Sequence, residues 1–121
     1  MKSYFENLEK RITLFAENTI RLCRKLKQDS INKRLIEQCV AASGSIGANY
    51  FEATEAESKK DFVHKMKIAK KEIKEVKHWL QLLGVANEQY VDDFRILWKE
   101  AHELLLIFSK IVHNAEKEVF N

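Results

Sequence analysis

The sequence contains no proline and only three glycines in 121 residues. Strand-rich folds spend many such residues on turns, so this chain is expected to use few, long elements, and therefore helices. It has two cysteines, Cys23 and Cys39, in neither a CxxC pair nor a zinc-type spacing. They read as reduced thiols rather than as a disulfide framework. Long apolar runs are missing too. The longest uncharged run, Gln38 to Phe51, is rich in Ser, Gly and Asn and falls short of the ~18 residues a membrane span needs. The first residues, Met1 to Glu6, lack the apolar stretch of a signal peptide. The expectation is a soluble, cytoplasmic protein with no membrane partner.

What is present suits a globular domain. The chain is 45% hydrophobic and 32% charged, and long enough to bury a core without disulfides or metals. It reads as one domain over 1–121. The net charge of +3 is too small to name a partner, but its distribution is uneven. Residues 1–28 and 59–78 carry net charges of +4 and +5, while 29–58 and 79–121 each carry −3.

Apolar residues recur in steps of three and four over four stretches, the signature of helices with one buried stripe. The first helix is predicted over 4–27, with Ser3 and Glu6 at capping-box spacing and a seam of Phe5, Leu8, Ile12, Phe15, Thr19, Leu22 and Leu26. Asp29-Ser30 breaks it and supplies the next N-cap. The second helix, 31–53, has the seam Leu35, Cys39, Ala42, Ile46, Asn49, Ala53. A buried Asn49 would fix which neighbour packs in which register. Beside it, Gly44 and Gly47 in the stripe Val40, Gly44, Gly47, Phe51 predict close approach of another backbone. The third helix, 59–83, starts at a Ser58–Asp61 cap and carries the seam Phe62, Met66, Ala69, Ile73, Val76, Leu80, Leu83, with Gly84 as its C-terminal cap. Asn87 is placed to cap the fourth, 88–118, with the seam Tyr90, Phe94, Leu97, Ala101, Leu104, Phe108, Ile111, Ala115. The short breaks make consecutive helices antiparallel neighbours, so the fold class is all-α: an up-down-up-down four-helix bundle.

Two surfaces stand out. Opposite the third seam lie Lys60, His64, Lys67, Lys71, Lys74 and His78, with Lys70 and Lys77 beside them. A continuous basic face suits phosphate backbones, of RNA or of DNA, although it is also what an ordinary solvated face looks like. It carries no arginine and no interleaved exposed aromatic, which argues against base-specific readout. Glu72 and Glu75 stand among these lysines. The fourth helix has a second apolar stripe, Val91, Trp98, Leu105, Val112 and Val119, repeating every seven residues. It either widens the core or, if exposed, forms an interface between copies of the chain.

The run Ser43-x-Ser45-Ile46-x-Ala48-Asn49-x-x-Glu52-Ala53, followed by Ser58-Lys59-Lys60-Asp61-Phe62 and by Lys65-x-x-Ile68-Ala69-x-Lys71-Glu72-x-x-Glu75-x-x-x-Trp79-Leu80-x-Leu82-Leu83, resembles the four-helix-bundle family encoded in 23S ribosomal RNA intervening sequences. Similar proteins act as accessory factors of diversity-generating retroelements. The resemblance implies a bundle that assembles into a ring, a homopentamer, with Asn49 and Glu52 as a structural polar motif and no catalytic residue to carry over. Many relatives have Gly after the motif Glu; Ala53 stands there here, which suggests continued helix.

Chemistry is scarce. The one Glu-x-x-His motif, Glu75 to His78, is half of what a di-metal carboxylate bundle needs, so no metal or other cofactor is expected. There is no phosphate-binding glycine loop, and no small-molecule substrate is expected. Arg95 and His102 match the loose Arg–His spacing of the HEPN ribonucleases, but Ile96 stands where a polar residue is usual. The expectation is therefore a non-enzymatic, self-associating bundle whose basic face suits nucleic acid or a protein partner bound to nucleic acid. The alternatives are a purely structural oligomer and a ribonuclease acting through Arg95 and His102.

Overall fold

The computed structural model describes residues 2–120, with side chains described for 4–119. It contains four helices: α1 (Lys2–Cys23), α2 (Ser30–Thr54), α3 (Lys59–Ala86) and α4 (Val91–Phe120). A 3₁₀ turn, Glu88–Tyr90, leads into α4. Among the described residues there is no strand. α2 packs on α3, α3 on α4, and α1 closes the bundle by lying more loosely against α2 and α4.

Polar caps set the starts of α2 and α3. The Asp29 carboxylate accepts from the Asn32 N–H at 2.8 Å, and the Ser58 hydroxyl accepts from the Asp61 N–H at 3.0 Å. The Ser3–Glu6 box involves the Ser3 side chain, which lies outside the described residues. α1 ends four residues before the sequence expectation. Its last N–H groups, from Lys25 and Leu26, reach back three residues instead of four, so the chain tightens and leaves the helix. Leu26 stays buried, so the seam outlasts the helix.

Gly84 does not cap α3. The helix runs on to Ala86, and no glycine has positive φ. Gly84 is buried, and a Cβ there would stand 3.6 Å from Phe94 Cβ, so its place is set by contact with α4. Asn87 stops the helix instead: its amide donates to the Leu83 carbonyl at 2.9 Å, and its side chain makes no capping bond to the 3₁₀ turn.

Each seam turns inward. Leu8, Ile12, Phe15, Ile46, Met66, Ile73, Leu80, Phe94, Leu104 and Phe108 share one core. Removing such side chains from water stabilises the fold by about 1.5–3 kcal/mol each. α2 departs from its expected seam. Asn49 is only half-buried, and its amide donates to Ser45 O of its own helix at 2.8 Å, so it links no neighbour. The fully buried positions include Tyr50, Ser43 and Asn32. Tyr50 packs against Phe108 with ring centroids 6.0 Å apart. No neighbouring backbone comes close at either glycine of the stripe: a Cβ at Gly47 would meet the Ile12 side chain at an ordinary 3.5 Å, and one at Gly44 nothing within 4 Å.

Candidate nucleic-acid interface

The outer face of α3 carries the basic residues. Lys60, His64, Lys67, Lys71, Lys74 and His78 are exposed; Lys70 and Lys77 are half-buried. The packing of α3 on α4 sorts them. Lys67, Lys70, Lys74 and Lys77 follow one another in steps of three and four and line the side turned to α4. Lys67, Lys70, Lys71 and Lys74 bound a groove of about 400 Å³ whose far wall is Ser109, Val112, His113 and Glu116. Ser109 and His113 thus join the lysines as hydrogen-bonding groups. Sequence reasoning missed them because their place depends on the register of α4 against α3.

Few of these charges are cancelled. Lys67 pairs with Glu116 at 2.6 Å and holds that carboxyl below the usual carboxylate range. Lys65 and Lys59, off the groove, pair with Glu52 and Glu118. Lys60, Lys70, Lys71 and Lys74 make no ion pair among the described residues, and neither do Glu72 and Glu75. Burial, with the nearby Glu75 charge, pushes the Glu72 carboxyl up. Glu52 thus reaches α3 through Lys65, at 3.2 Å, while its motif partner Asn49 bonds only within α2.

Two half-buried tryptophans flank the face. Trp79 is half-buried at a second groove with Gln38, Lys71, Lys74 and His78. Its ring lies 5.1 Å from that of His78. On the α4 side, Lys77 Nζ sits 4.5 Å over the Trp98 ring and 2.9 Å from His102 Nδ1. A lysine ammonium only donates, so Nδ1 accepts here. The His102 ring stacks on Trp98, with centroids 5.4 Å apart and planes 7° from parallel. Arg95, two turns earlier on α4, is exposed and reaches Asp92 at 3.3 Å.

The second stripe of α4 is not an exposed flank. Val112 is buried and Leu105 and Val119 pack against the core, while Val91 and Trp98 are half-buried on the side turned to α3. The exposed apolar side chains lie elsewhere and are scattered over all four helices; they include Val85 on α3, Ile31 on α2, Ile96 (67%) and Leu106 (58%) on α4 and Leu14 (52%) on α1. Leu14 and Ile96 flank a groove of about 380 Å³ between α1 and α4. A larger cavity, about 640 Å³, has Glu6, Glu9 and Glu57 in its lining, the wrong sign for a polyanion. Among the described residues, no group of three or more His, Cys, Asp or Glu could hold a metal ion, and no helix is long and apolar enough to cross a membrane.

Comparison with known proteins follows the same lines. No curated protein matches the chain. A solved structure from Bacteroides thetaiotaomicron VPI-5482, a protein of unknown function from the S23 ribosomal protein family, is similar at 27% identity with a TM-score of 0.77. The match covers 87% of this chain and 97% of that one. The family model for the 23S rRNA-intervening sequence protein matches residues 7–110. With most of its length matched and the same helical architecture in a solved relative, the chain belongs to the 23S rRNA-intervening sequence protein family.

Proposed function

We propose that this protein is a non-enzymatic, antiparallel up-down-up-down bundle that binds nucleic acid along the groove between α3 and α4 and repeats that groove in a homo-oligomeric ring. The antiparallel reading is supported by contacts that run in opposite directions along α3 and α4: Lys59 with Glu118, Lys77 with His102, Gly84 with Phe94. The observation that carries the binding reading is the row Lys67, Lys70, Lys71 and Lys74 lining a groove with Ser109 and His113. Lysines supply point charges for phosphates, and hydroxyl and imidazole groups add hydrogen bonds without sequence preference. The family's name carries ribosomal RNA, so RNA is the first polymer to try. A ring would multiply weak contacts into avid binding.

The test is fluorescence anisotropy of labelled RNA over a salt series. It compares wild type with a variant in which Lys60, Lys67, Lys71 and Lys74 are each changed to Glu. The expected result is affinity that falls steeply with salt, by a log–log slope of roughly 0.7 to 0.9 per phosphate contact, and that the variant loses. Absence of binding by wild-type protein at low salt sinks the reading.

Exposed apolar groups favour the assembly half of the proposal. Leu14 and Ile96 flank one groove from two helices, and association would remove both from water.

A further inference from the structure

Further along α3 and α4, past the contact of Lys77 with His102 and Trp98, lies a separate cavity of about 530 Å³, whose lining includes Leu80, Gln81, Val91, Phe94, Arg95 and Trp98. That volume falls within the range of small-ligand sites, about 300–1,000 Å³.

One face of the Trp98 indole is taken. Lys77 Nζ and His102 Nδ1 are 2.9 Å apart, and the His102 ring lies parallel to the indole. Two atoms that close cannot straddle a ring from which both stand off by a van der Waals distance, so Lys77 and His102 share one face. His102 is one turn after Trp98 on α4. The opposite face is therefore turned toward the preceding turn, that of Phe94 and Arg95, which also line the cavity. The stacked imidazole and the ammonium fix the indole plane before any ligand arrives.

The rest of the lining is matched to a particular chemistry. Leu80, Val91 and Phe94 form apolar walls. The Gln81 amide offers a donor and an acceptor, and Glu88, also in the lining, offers an acceptor for an exocyclic amine. The exposed Arg95 guanidinium, held only by its 3.3 Å contact with Asp92, is placed for a phosphate. Along α3, Gln81 continues the row Lys67, Lys70, Lys74, Lys77 one step further.

We propose that this cavity is a base-binding subsite: one unstacked nucleobase of a single strand lies on the free face of Trp98, its edge on Gln81 and its phosphate on Arg95. A base within a duplex has both faces occupied by its neighbours and does not enter, so the subsite selects single strands. For polymers this rests on the lysine-groove reading; for a mononucleotide it stands by itself.

The chain has two tryptophans, so Trp79→Phe leaves Trp98 as the sole indole. Titrating that protein with adenosine monophosphate is expected to quench Trp98 emission saturably and to shift its indole N–H resonance. Arg95→Gln, an exposed change, is expected to weaken the nucleotide but not adenosine. Trp98→Leu, checked for folding by thermal melting, is expected to lower single-strand affinity about tenfold and leave duplex affinity unchanged. If neither emission nor the indole resonance responds to millimolar nucleotide, the subsite does not exist. The same holds if Trp98→Leu lowers single-strand and duplex affinity equally. A nucleotide response from wild-type protein that binds no polymer at low salt would keep the subsite and remove the groove reading. Salt-dependent polymer binding without a nucleotide response would do the reverse.

Discussion

Asn32 and Asn87 exchange hydrogen bonds across 55 positions of sequence, at 3.0 and 2.8 Å. Each amide spends its other N–H on a carbonyl, Asn32 on Lys27 O and Asn87 on Leu83 O. The pair ties the α1–α2 turn to the end of α3, and among the described residues no buried side-chain polar atom lacks a partner. Removing one partner strands the other, so Asn32→Ala and Asn87→Ala are each expected to cost about 1–3 kcal/mol in urea unfolding. The double variant should cost clearly less than the sum, which a double-mutant cycle measures. Tyr50 gives a pH-dependent counterpart. Burial, then the nearby Glu9 charge, pushes its phenol from 10.0 up to about 12. The folded state thus holds the proton that the unfolded state releases first, and the stability it provides is present below pH 10 and lost as pH rises through 12. Tyr50→Phe should remove that loss, while at neutral pH it gives up only a long bond to Phe5 O, 3.4 Å, worth under about 1 kcal/mol. Melting both proteins between pH 8 and 12 tests this. An equal alkaline loss in the two would refute it. Cys39 is fully buried, and its contact with Cys23 together with burial keeps the thiol protonated.

At the scale of the element, the helices of this bundle are legible wherever a periodic seam meets a polar stop. Asp29 and Ser58 were both readable as caps because a short acceptor precedes an apolar pattern. The errors came where a residue type has two physical uses. Gly84 has the chemistry of a left-handed cap, but packing against Phe94 keeps it helical. Asn49 has the chemistry of a register-fixing core amide. The buried face of α2 instead turns through Ser43 and Tyr50, so Asn49 falls at its edge. Gly84→Ala distinguishes the two uses of that glycine. At a left-handed cap it destabilises; inside α3, with its nearest contact at an ordinary 3.6 Å, it should stabilise by about 0.5–1 kcal/mol, read as a higher melting temperature.

For the whole molecule, the basic half of the candidate site was legible from α3 alone, since its lysines share one helix. The other half was not. Ser109, His113 and Trp98 lie up to 46 residues from Lys67, and only the register of α4 sets them beside the lysines. Which apolar side chains stay exposed also needed the packed structure, because a heptad stripe looks the same whether it faces a neighbouring helix or solvent. Ile96→Asp is expected to weaken self-association, measured by light scattering at micromolar concentration, without disturbing the fold, since the side chain is 67% exposed. Wild-type protein that is already monomeric there removes the ring. All three glycines lie in helices at ordinary φ, and a Cβ at any of them meets nothing closer than 3.5 Å. With proline absent as well, no position depends on an unusual backbone. The fold could be written in an alphabet that omits both letters, and every site in it is open to recoding with a side chain.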